Sequence, residues 1–425
     1  MARSVATTTL RALRHRNFQL FFAGQLISLI GTWMQNVAQA WLVYRITGSS
    51  ALLGLVSFAG QIPVFALSPI GGYTADRWNR RTVVIITQTL SMVLAFLLAA
   101  LTLTNTVRIW EVFVLASLLG IVNAFDIPAR QSFLVEMVGR EDLINAIALN
   151  SSMFNGARIV GPAVAGILVA RLGEGWCFFL NGISYIAVIW GLFLMRLAPF
   201  VRRVARSSAL ETIREGFDYV GRTGPVFAFL ALVGVLGFAG LPYLVLMPIF
   251  ADRIFHMGAS GLGLLTGLAG LGALAGALTL ASRTALTGLT RWAGIALSVF
   301  GIALGAFSLS HNLLLSCGLL LITGFTGMIQ MGACNTLIQS MVPDTLRGRV
   351  MSVYSMMYMG LGPVGALIAG FVAERIGAER TLTGGAVICL LAAAVFGGRL
   401  QSIRSGAAAL IRAQQEGAEV ASPAR

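Results

Sequence analysis

The sequence contains no lysine, and all thirty of its basic residues are arginine. P-loop NTPases, Schiff-base enzymes and protein kinases each use a lysine at the reacting phosphate or carbonyl group. The sequence also lacks a Walker motif. These absences exclude several enzyme classes, and they exclude transport driven by ATP hydrolysis within this chain.

Charged side chains are scarce as well. They make up 11% of the 425 residues, against about 25% in a typical soluble domain, while 57% of the residues are apolar. This composition predicts a membrane protein that is surrounded by the lipid bilayer. The net charge of +14 would suit nucleic acid only if it lay on a wetted face, so no nucleic-acid partner is expected.

Cysteine and histidine are too scattered to form a site. The four cysteines lie singly within apolar runs, and the three histidines are isolated near predicted helix ends or in loops. This pattern predicts no disulfide framework, no metal site and no histidine relay. The residues are Cys177, Cys317, Cys334, Cys389, His15, His256 and His311.

Twelve apolar runs are long enough to cross a bilayer as helices. About twenty residues span the hydrocarbon core, and continuous apolarity excludes barrel strands, which alternate in polarity. We therefore predict an all-α integral membrane protein. The predicted spans are residues 18–44, 51–74, 82–105, 110–128, 143–171, 176–197, 225–251, 259–282, 288–310, 312–336, 348–373 and 381–403.

The arginines sort to one side of these spans. Twenty-three lie in the tails and loops on the side of the N-terminus, and six lie on the opposite side. Basic loops stay on the cytoplasmic side of a membrane. Both termini are therefore predicted to be cytoplasmic, in a multi-pass protein of the bacterial inner membrane.

The chain divides into two similar halves. Gly166 to Gly173 aligns with Gly370 to Gly377, and duplicated six-helix halves are typical of alternating-access transporters. Between the halves, Leu210, Ile213, Phe217 and Val220 follow Arg202, Arg203 and Arg206 at helical spacing, which predicts an amphipathic surface helix. The predicted parts are a basic tail (1–17), a first bundle (18–197), a linker (198–224), a second bundle (225–403) and a polar cytoplasmic tail (404–425).

The loop between predicted helices 2 and 3 reads Gly72-Tyr-Thr-Ala-Asp76-Arg77-Trp-Asn79-Arg80-Arg81. A carboxylate followed by three guanidinium groups can form charge-assisted pairs in one conformer only. The loop resembles the signature loop of the major facilitator superfamily, except that Asn79 stands where glycine is usual, and asparagine also tolerates left-handed backbone. The resemblance implies two pseudo-symmetric six-helix bundles and a gating role for Asp76, Arg77 and Arg81, in a motif that also contains Gly72 and Arg80. Asp126 is assigned to the same gating motif because it lies near the inner end of predicted helix 4.

Predicted helix 5 carries Ala157-Arg158-Ile-Val-Gly161-Pro162-Ala-Val-Ala165-Gly166. Small residues and proline let helices approach closely and bend. This run is similar to the antiporter motif of exporters in the superfamily, so Gly161, Pro162 and Gly166 are predicted to act in it. Further segments, Asp126 to Ser132, Asn145 to Ser151 and Leu346 to Met351, resemble the subgroup of transmembrane secretion effectors and enterobactin exporters.

Polar side chains within the predicted helices form stripes at helical spacing. Lipid cannot satisfy their hydrogen bonds, so they are expected to face protein or a water-filled cavity. Neutral polar groups beside aromatics and methionines suit an amphipathic organic molecule, and helix-to-helix hydrogen bonding is the alternative. The candidate cavity residues are Gln25, Thr32, Asn36, Gln39, Gln61, Ser151, Asn155, Arg158, Thr326, Gln330 and Tyr358.

Arg158 is the only base deep within a predicted helix, about 22 Å from its start at 1.5 Å per residue. Our hypothesis is that it binds an anionic group of the substrate, or alternates between substrate and a carboxylate such as Asp126 or Glu136. A structural ion pair is the alternative. Asp126 itself is interpreted as a member of the Asp76–Arg77 network and not as a proton carrier.

The resemblance implies a secondary transporter and not an enzyme. The expected substrate is a small amphipathic compound, a siderophore or a drug-like molecule, exported by alternating access with proton antiport. A monomer is expected, with no cofactor and with the proton gradient as its energy source. The alternatives are a lipid or lysolipid flippase of the same fold and a receptor that binds without transport.

Overall fold

The computed structural model describes residues 11–197, 209–283 and 288–421. This part of the chain forms helices and no strand, and eleven of its helices are long and apolar enough to cross a membrane. They are α2 (Ser50–Arg77), α3 (Arg80–Leu103), α4 (Ile109–Val138), α5 (Leu143–Leu172), α6 (Glu174–Leu194), α7 (Gly224–Ile254), α8 (Gly258–Ala281), α9 (Leu289–Leu309), α10 (Leu313–Met341), α11 (Asp344–Ile376) and α12 (Ala378–Gly398).

One further long helix, α1 (Arg16–Thr47), precedes these. Its 32 residues are enough to cross a bilayer, but polar side chains interrupt its apolar surface. Gln25 and Ser28 of α1 are buried, so protein surrounds them in place of lipid. The helix ends at Gly48, whose positive φ of 61° lets its N–H bond to the Tyr44 carbonyl.

The structure corrects two expectations about helix ends. Asn79 does not adopt left-handed backbone; it is extended and caps α3 through its side chain, which accepts from the Thr82 N–H. Helix α4 continues to Val138, about ten residues beyond the predicted end. Asp126, Arg130 and Glu136 therefore share one helix.

The Cα positions divide into two compact units. The first comprises Met1–Arg206 and Met247–Gly267, and the second comprises Ser207–Leu246 and Leu268–Arg425. In the first unit, α2 packs along α4, α1 along α6 and α5, and α3 along α6. In the second, α9 packs along α10 and α12. The division into two six-helix bundles about a linker at 198–224 stays a prediction.

Exposed tryptophans lie at the helix ends. Trp78 directly follows α2, Trp110 and Trp176 open α4 and α6, and Trp190 lies in the last turns of α6. Amphipathic aromatic rings favour the two membrane–water interfaces. Their placement fits helices that span a bilayer.

Besides the four-residue helix Arg11–Arg14, two further helices of the described chain lie outside the spans. A linker helix, Ala209–Arg222, packs on α11: a Cβ at Gly216 would come within 2.7 Å of the Arg349 carbonyl oxygen, and Glu215 pairs with Arg349. Val220 is buried and Phe217 is exposed. The predicted linker residues 198–208, with Arg202, Arg203 and Arg206, and the side chains of Leu210 and Ile213 lie outside the described residues.

The predicted polar tail is helical over Leu400–Ala421. Ile403 and Ala407 of this C-terminal helix are buried, and Gly406 approaches Pro225 at the start of α7. From the sequence, no secondary structure is predicted for this tail. The helix forms because its apolar residues recur on one face that packs against protein.

Candidate functional site

The signature loop holds an ion-pair chain. Asp76, in the last turn of α2, lies 3.7 Å from Arg80, which opens α3. Arg80 also pairs with Glu136 of α4 and donates from Nε to the Ala75 carbonyl at 3.1 Å. The structure thus brings Asp76 and Arg80 together and adds Glu136 as a second carboxylate.

The other two arginines of the loop have different contacts. Arg77 lies over the Tyr73 ring at 4.8 Å, a cation–π contact at the exposed end of α2. Arg81 donates to the Phe193 carbonyl of α6 at 3.1 Å. Arg80 and Arg81 therefore fasten the start of α3 to α2, α4 and α6, whereas the Arg77 contact lies within α2. Of the three, only Arg80 pairs with a carboxylate within the described chain.

The close approach at this loop falls on Gly71 and not on Gly72. A Cβ at Gly71 would meet the Ala124 carbonyl oxygen of α4 at 2.0 Å, whereas a Cβ at Gly72 would meet no heavy atom within 4 Å. The close contact between α2 and α4 therefore requires glycine at position 71, one residue before the glycine of the signature pattern.

Asp126 does not join the Asp76 network. Its Oδ1 accepts from Thr87 Oγ1 at 2.7 Å and from Gln88 Nε2 at 2.9 Å, and its Oδ2 pairs with Arg130 at 2.8 Å. The carboxylate is 1% exposed. The sequence-based assignment of Asp126 to the gating motif is therefore wrong, because α4 extends further and Glu136, more than two turns on, reaches the loop.

The residues of the polar stripe of α1 differ in burial and in hydrogen bonding. Gln25 is buried and its Oε1 has no hydrogen-bond partner among the described residues. Thr32 and Gln39 are half-buried and Asn36 is exposed. The Thr32 hydroxyl donates to the Ser28 carbonyl within the helix.

Gln35, which the stripe missed, is buried and accepts from Asn181 of α6 at 2.7 Å. Gly31 lies one turn earlier on the same side, where a Cβ would come within 2.4 Å of Asn181 Oδ1. Gly31 and Gln35 thus form a helix-to-helix contact with Asn181. The two residues are four apart and so lie on the same face of α1, and this spacing is the sequence signal that could have revealed the contact.

Candidate residues on α2 and α5 line exposed or half-buried surface. Gln61 is exposed and donates to the Ser57 hydroxyl at 2.9 Å. Ser151 is exposed, and half-buried Asn155 donates to the Ser151 carbonyl at 2.9 Å. These polar groups stay near their own helices.

Arg158 meets an aromatic ring and not a carboxylate. Its guanidinium carbon lies 5.7 Å from the centre of the Trp33 ring of α1, and its side chain is half-buried. The two suggested carboxylate partners are engaged elsewhere, Asp126 by Arg130 and Glu136 by Arg80. Neither suggested pairing of Arg158 is present in this structure.

The antiporter-like motif is a packing motif on two sides. A Cβ at Gly161 would lie 2.5 Å from the Trp33 Cβ of α1. A Cβ at Gly166 would lie 3.0 Å from the Gly263 Cα of α8. Pro162 is buried between the two glycines, so the small residues of the motif let α5 approach both neighbours closely.

The candidates on α10 and α11 lie in the second unit. Thr326 and Gln330 are buried, and Gln330 donates to the Cys334 sulfur at 3.6 Å. The Gln330 Oε1 has no hydrogen-bond partner within the described ranges. Tyr358 is half-buried.

A model of the transmembrane secretion effector family matches residues 7–421. The chain belongs to this family. The match covers nearly the whole sequence, including every candidate residue named above.

Curated relatives of this transmembrane secretion effector are transporters. The Staphyloferrin A transporter of Staphylococcus aureus is 26% identical, over 87% of this chain and 93% of the relative. The multidrug efflux pump Tap of Mycolicibacterium fortuitum is 29% identical, over 83% and 88%. The enterobactin exporter EntS of Shigella boydii is 25% identical, over 84% and 85%.

Solved structures share the fold of the secretion effector. A bacterial homologue of the lysosomal transporter Spinster superposes with a TM-score of 0.70 at 15% identity, over 92% of this chain and 97% of that one. The nucleoside transporter NupG gives 0.69 at 14%, over 92% and 98%. The predicted major facilitator fold is confirmed, and the protein is a multi-pass membrane transporter and not an enzyme.

The secretion effector also has a polar cluster that the sequence did not suggest, at the end of α1. The Tyr44 hydroxyl donates to Asp252 Oδ2 at 2.9 Å and accepts from Arg253 Nε at 3.2 Å. Arg253 also donates to the Gly48 carbonyl. Beside it, Arg45 pairs with the buried carboxylate of Glu174 at 2.7 Å.

Within the described part of the chain, no group of three His, Cys, Asp or Glu side chains is placed to hold a metal ion. The four cysteines are free thiols. The absence of a cofactor remains an expectation.

Proposed function

We propose that this transporter exports a small amphipathic organic compound that carries an anionic group. The observation that supports the proposal is Arg158, a permanently charged guanidinium near the middle of the 30-residue α5 that pairs with no carboxylate in the described chain. A charge at that depth is costly unless an ion or water meets it. An anionic group of the substrate would serve as the partner.

Two buried amide oxygens add support. Gln25 Oε1 and Gln330 Oε1 accept no hydrogen bond from the described residues. Unpaired buried acceptors cost free energy, so each is suited to a donor on a substrate or to a bound water. The names of the relatives indicate siderophores or drug-like compounds as the class of substrate.

We further propose alternating access with proton antiport in the bacterial inner membrane, with both termini cytoplasmic and a monomer as the working unit. The asymmetry of the arginines supports the orientation. Asp126 becomes the candidate proton carrier, since it is buried within α4 and lies outside the signature-loop network. The energy source would be the proton gradient, without a cofactor.

A deletion strain tests the export. We expect raised sensitivity to some members of a panel of amphipathic compounds, or loss of a secreted iron chelator, with recovery by the parental gene and not by Arg158→Ala. An Arg158→Ala protein that is inserted normally and exports at the parental rate would contradict the role of the guanidinium.

Proteoliposomes with an imposed pH gradient test the coupling. Substrate accumulation that a protonophore abolishes is expected for antiport. Asp126→Asn, compared with the parent at equal amounts of folded, reconstituted protein, should lose gradient-driven accumulation while keeping exchange of labelled for unlabelled substrate. Binding without flux would instead indicate a receptor, and movement of a labelled lysolipid would indicate a flippase.

A further inference from the structure

The geometry points to a recognition site for a planar aromatic acid, formed by Trp33, Phe154 and Arg158 and called here the Trp33 platform. This inference rests on the proposed export function and specifies its substrate class. The ligand would be an aromatic ring that bears a carboxylate or a comparable acidic group.

The three side chains form a continuous surface. The Trp33 and Phe154 rings lie 5.6 Å apart, centre to centre, in an edge-to-face arrangement of 71°. The guanidinium of Arg158 lies over the same Trp33 ring. Because Phe154 and Arg158 are four residues apart on α5, they lie on one side of that helix, and both contact Trp33 of α1.

The base of the platform is rigid. Met153 and Ala157 of α5 are buried against Leu29 of α1, and Trp33 packs on this cluster. Gly161 allows the two backbones to meet, since a Cβ there would clash with the Trp33 Cβ. A site built on two closely packed helices holds its side chains in a fixed geometry.

The α5 side of the platform is partly exposed. Phe154 is 45% exposed, and Asn155 and Ser151 beside it are half-buried and exposed. A guanidinium, an amide and a hydroxyl are costly to present to lipid, so this side of α5 is suited to water and ligand. An exposed aromatic edge beside polar groups is the composition of a small-molecule site.

The electrostatics select the sign of the ligand. The two carboxylates suggested as partners are engaged elsewhere, Glu136 by Arg80 and Asp126 by Arg130. No carboxylate of the described residues pairs with Arg158, so its guanidinium retains donors for an external acceptor. A fork of N–H donors matches the two oxygens of a carboxylate. A planar ring attached to that carboxylate would then stack against Trp33 or Phe154.

The test uses the full chain in lipid nanodiscs and measures binding by equilibrium dialysis. The probes are naphthoate, its saturated analogue decahydronaphthoate, and neutral naphthalenemethanol. The platform predicts that naphthoate binds about tenfold more tightly than either analogue, because only naphthoate uses both the guanidinium and the rings. Equal affinities for the three probes would overturn the inference.

Variants assign the binding to the named side chains. Arg158→Gln should lower the affinity for naphthoate by about tenfold, as expected for loss of a charged hydrogen-bond partner. The affinity for naphthalenemethanol should be unchanged. Phe154→Leu changes an exposed side chain, so the variant should fold normally. It should bind both aromatic probes, naphthoate and naphthalenemethanol, more weakly than the parent does. Arg171→Gln, an exposed arginine at the end of the same helix, is the matched control and should bind naphthoate as the parent does. Parental naphthoate affinity in Arg158→Gln would contradict the site.

The binding test is independent of flux. If naphthoate shows the expected pattern but no compound moves in proteoliposomes, the proposed export is wrong and the site remains. If export is observed while the three probes bind equally, the site is wrong and the export remains.

Discussion

Arg80 at the start of α3 pairs with Glu136 of α4, and the same guanidinium lies 3.7 Å from Asp76 of α2. One arginine thus joins three helices at one end of the first unit. Both side chains of the Arg80–Glu136 pair are largely withdrawn from solvent, at 12% and 28% exposed. This relationship, and not one through Asp126, is the ion-pair network of the signature loop.

Glu136→Gln is expected to weaken this network. The amide cannot balance the charge of Arg80, and loss of a charged hydrogen-bond partner costs about 1–3 kcal/mol. We expect a lower apparent melting temperature in detergent and slower export. Glu379→Gln, an acid 45% exposed in its side chain, is the control and should match the parent. A Glu136→Gln protein with parental stability and export would show that the pair has no role.

Gly71→Ala and Gly72→Ala should differ strongly. The added methyl group at Gly71 would overlap the Ala124 carbonyl, and overpacking of this kind costs about 1–3 kcal/mol. At Gly72 the methyl group meets open space and alanine favours the helix. Expression level and melting temperature of the two proteins provide the measurement. Equal loss at both positions would contradict the assignment of the close helix contact to Gly71 alone.

Asp126→Asn is expected to destabilise the fold, and a second change should restore part of the loss. Asparagine leaves the Arg130 charge without its partner, and breaking a buried pair from one side costs about 3–5 kcal/mol. Asp126→Asn combined with Arg130→Met removes the stranded charge. A double-mutant cycle on melting temperatures measures the coupling. Additive losses would contradict a direct interaction across the 2.8 Å contact.

Tyr44→Phe removes one hydroxyl that bonds to both Asp252 and Arg253. The expected loss is about 1 kcal/mol for each hydrogen bond, seen as a lower melting temperature with normal membrane insertion. Tyr73→Phe is the matched control, because Tyr73 is exposed and offers its ring, and not its hydroxyl, to Arg77. A larger loss in Tyr73→Phe than in Tyr44→Phe would contradict this assignment.

The amino-acid sequence alone determined which segments form helices. It also determined that these helices are suited to a bilayer. Apolar runs, the absence of lysine, and the arginine asymmetry are properties of the chain itself, because they depend on composition and on a helical rise that is the same in every helix. The signature loop and the small residues Gly161 and Gly166 were also evident in sequence. The structure confirmed the close approach that those two glycines suggested.

Only the tertiary structure decided the partners. Sequence offered Asp126 and Glu136 as candidate partners of Arg158, but the ten further residues of α4 bring Glu136 to Arg80 and leave Asp126 with Arg130. The same limit applies to Gln35 with Asn181. Helical periodicity specifies the face of a side chain, whereas a contact between helices also depends on their rotation and depth, which packing at positions such as Gly31 and Gly71 sets.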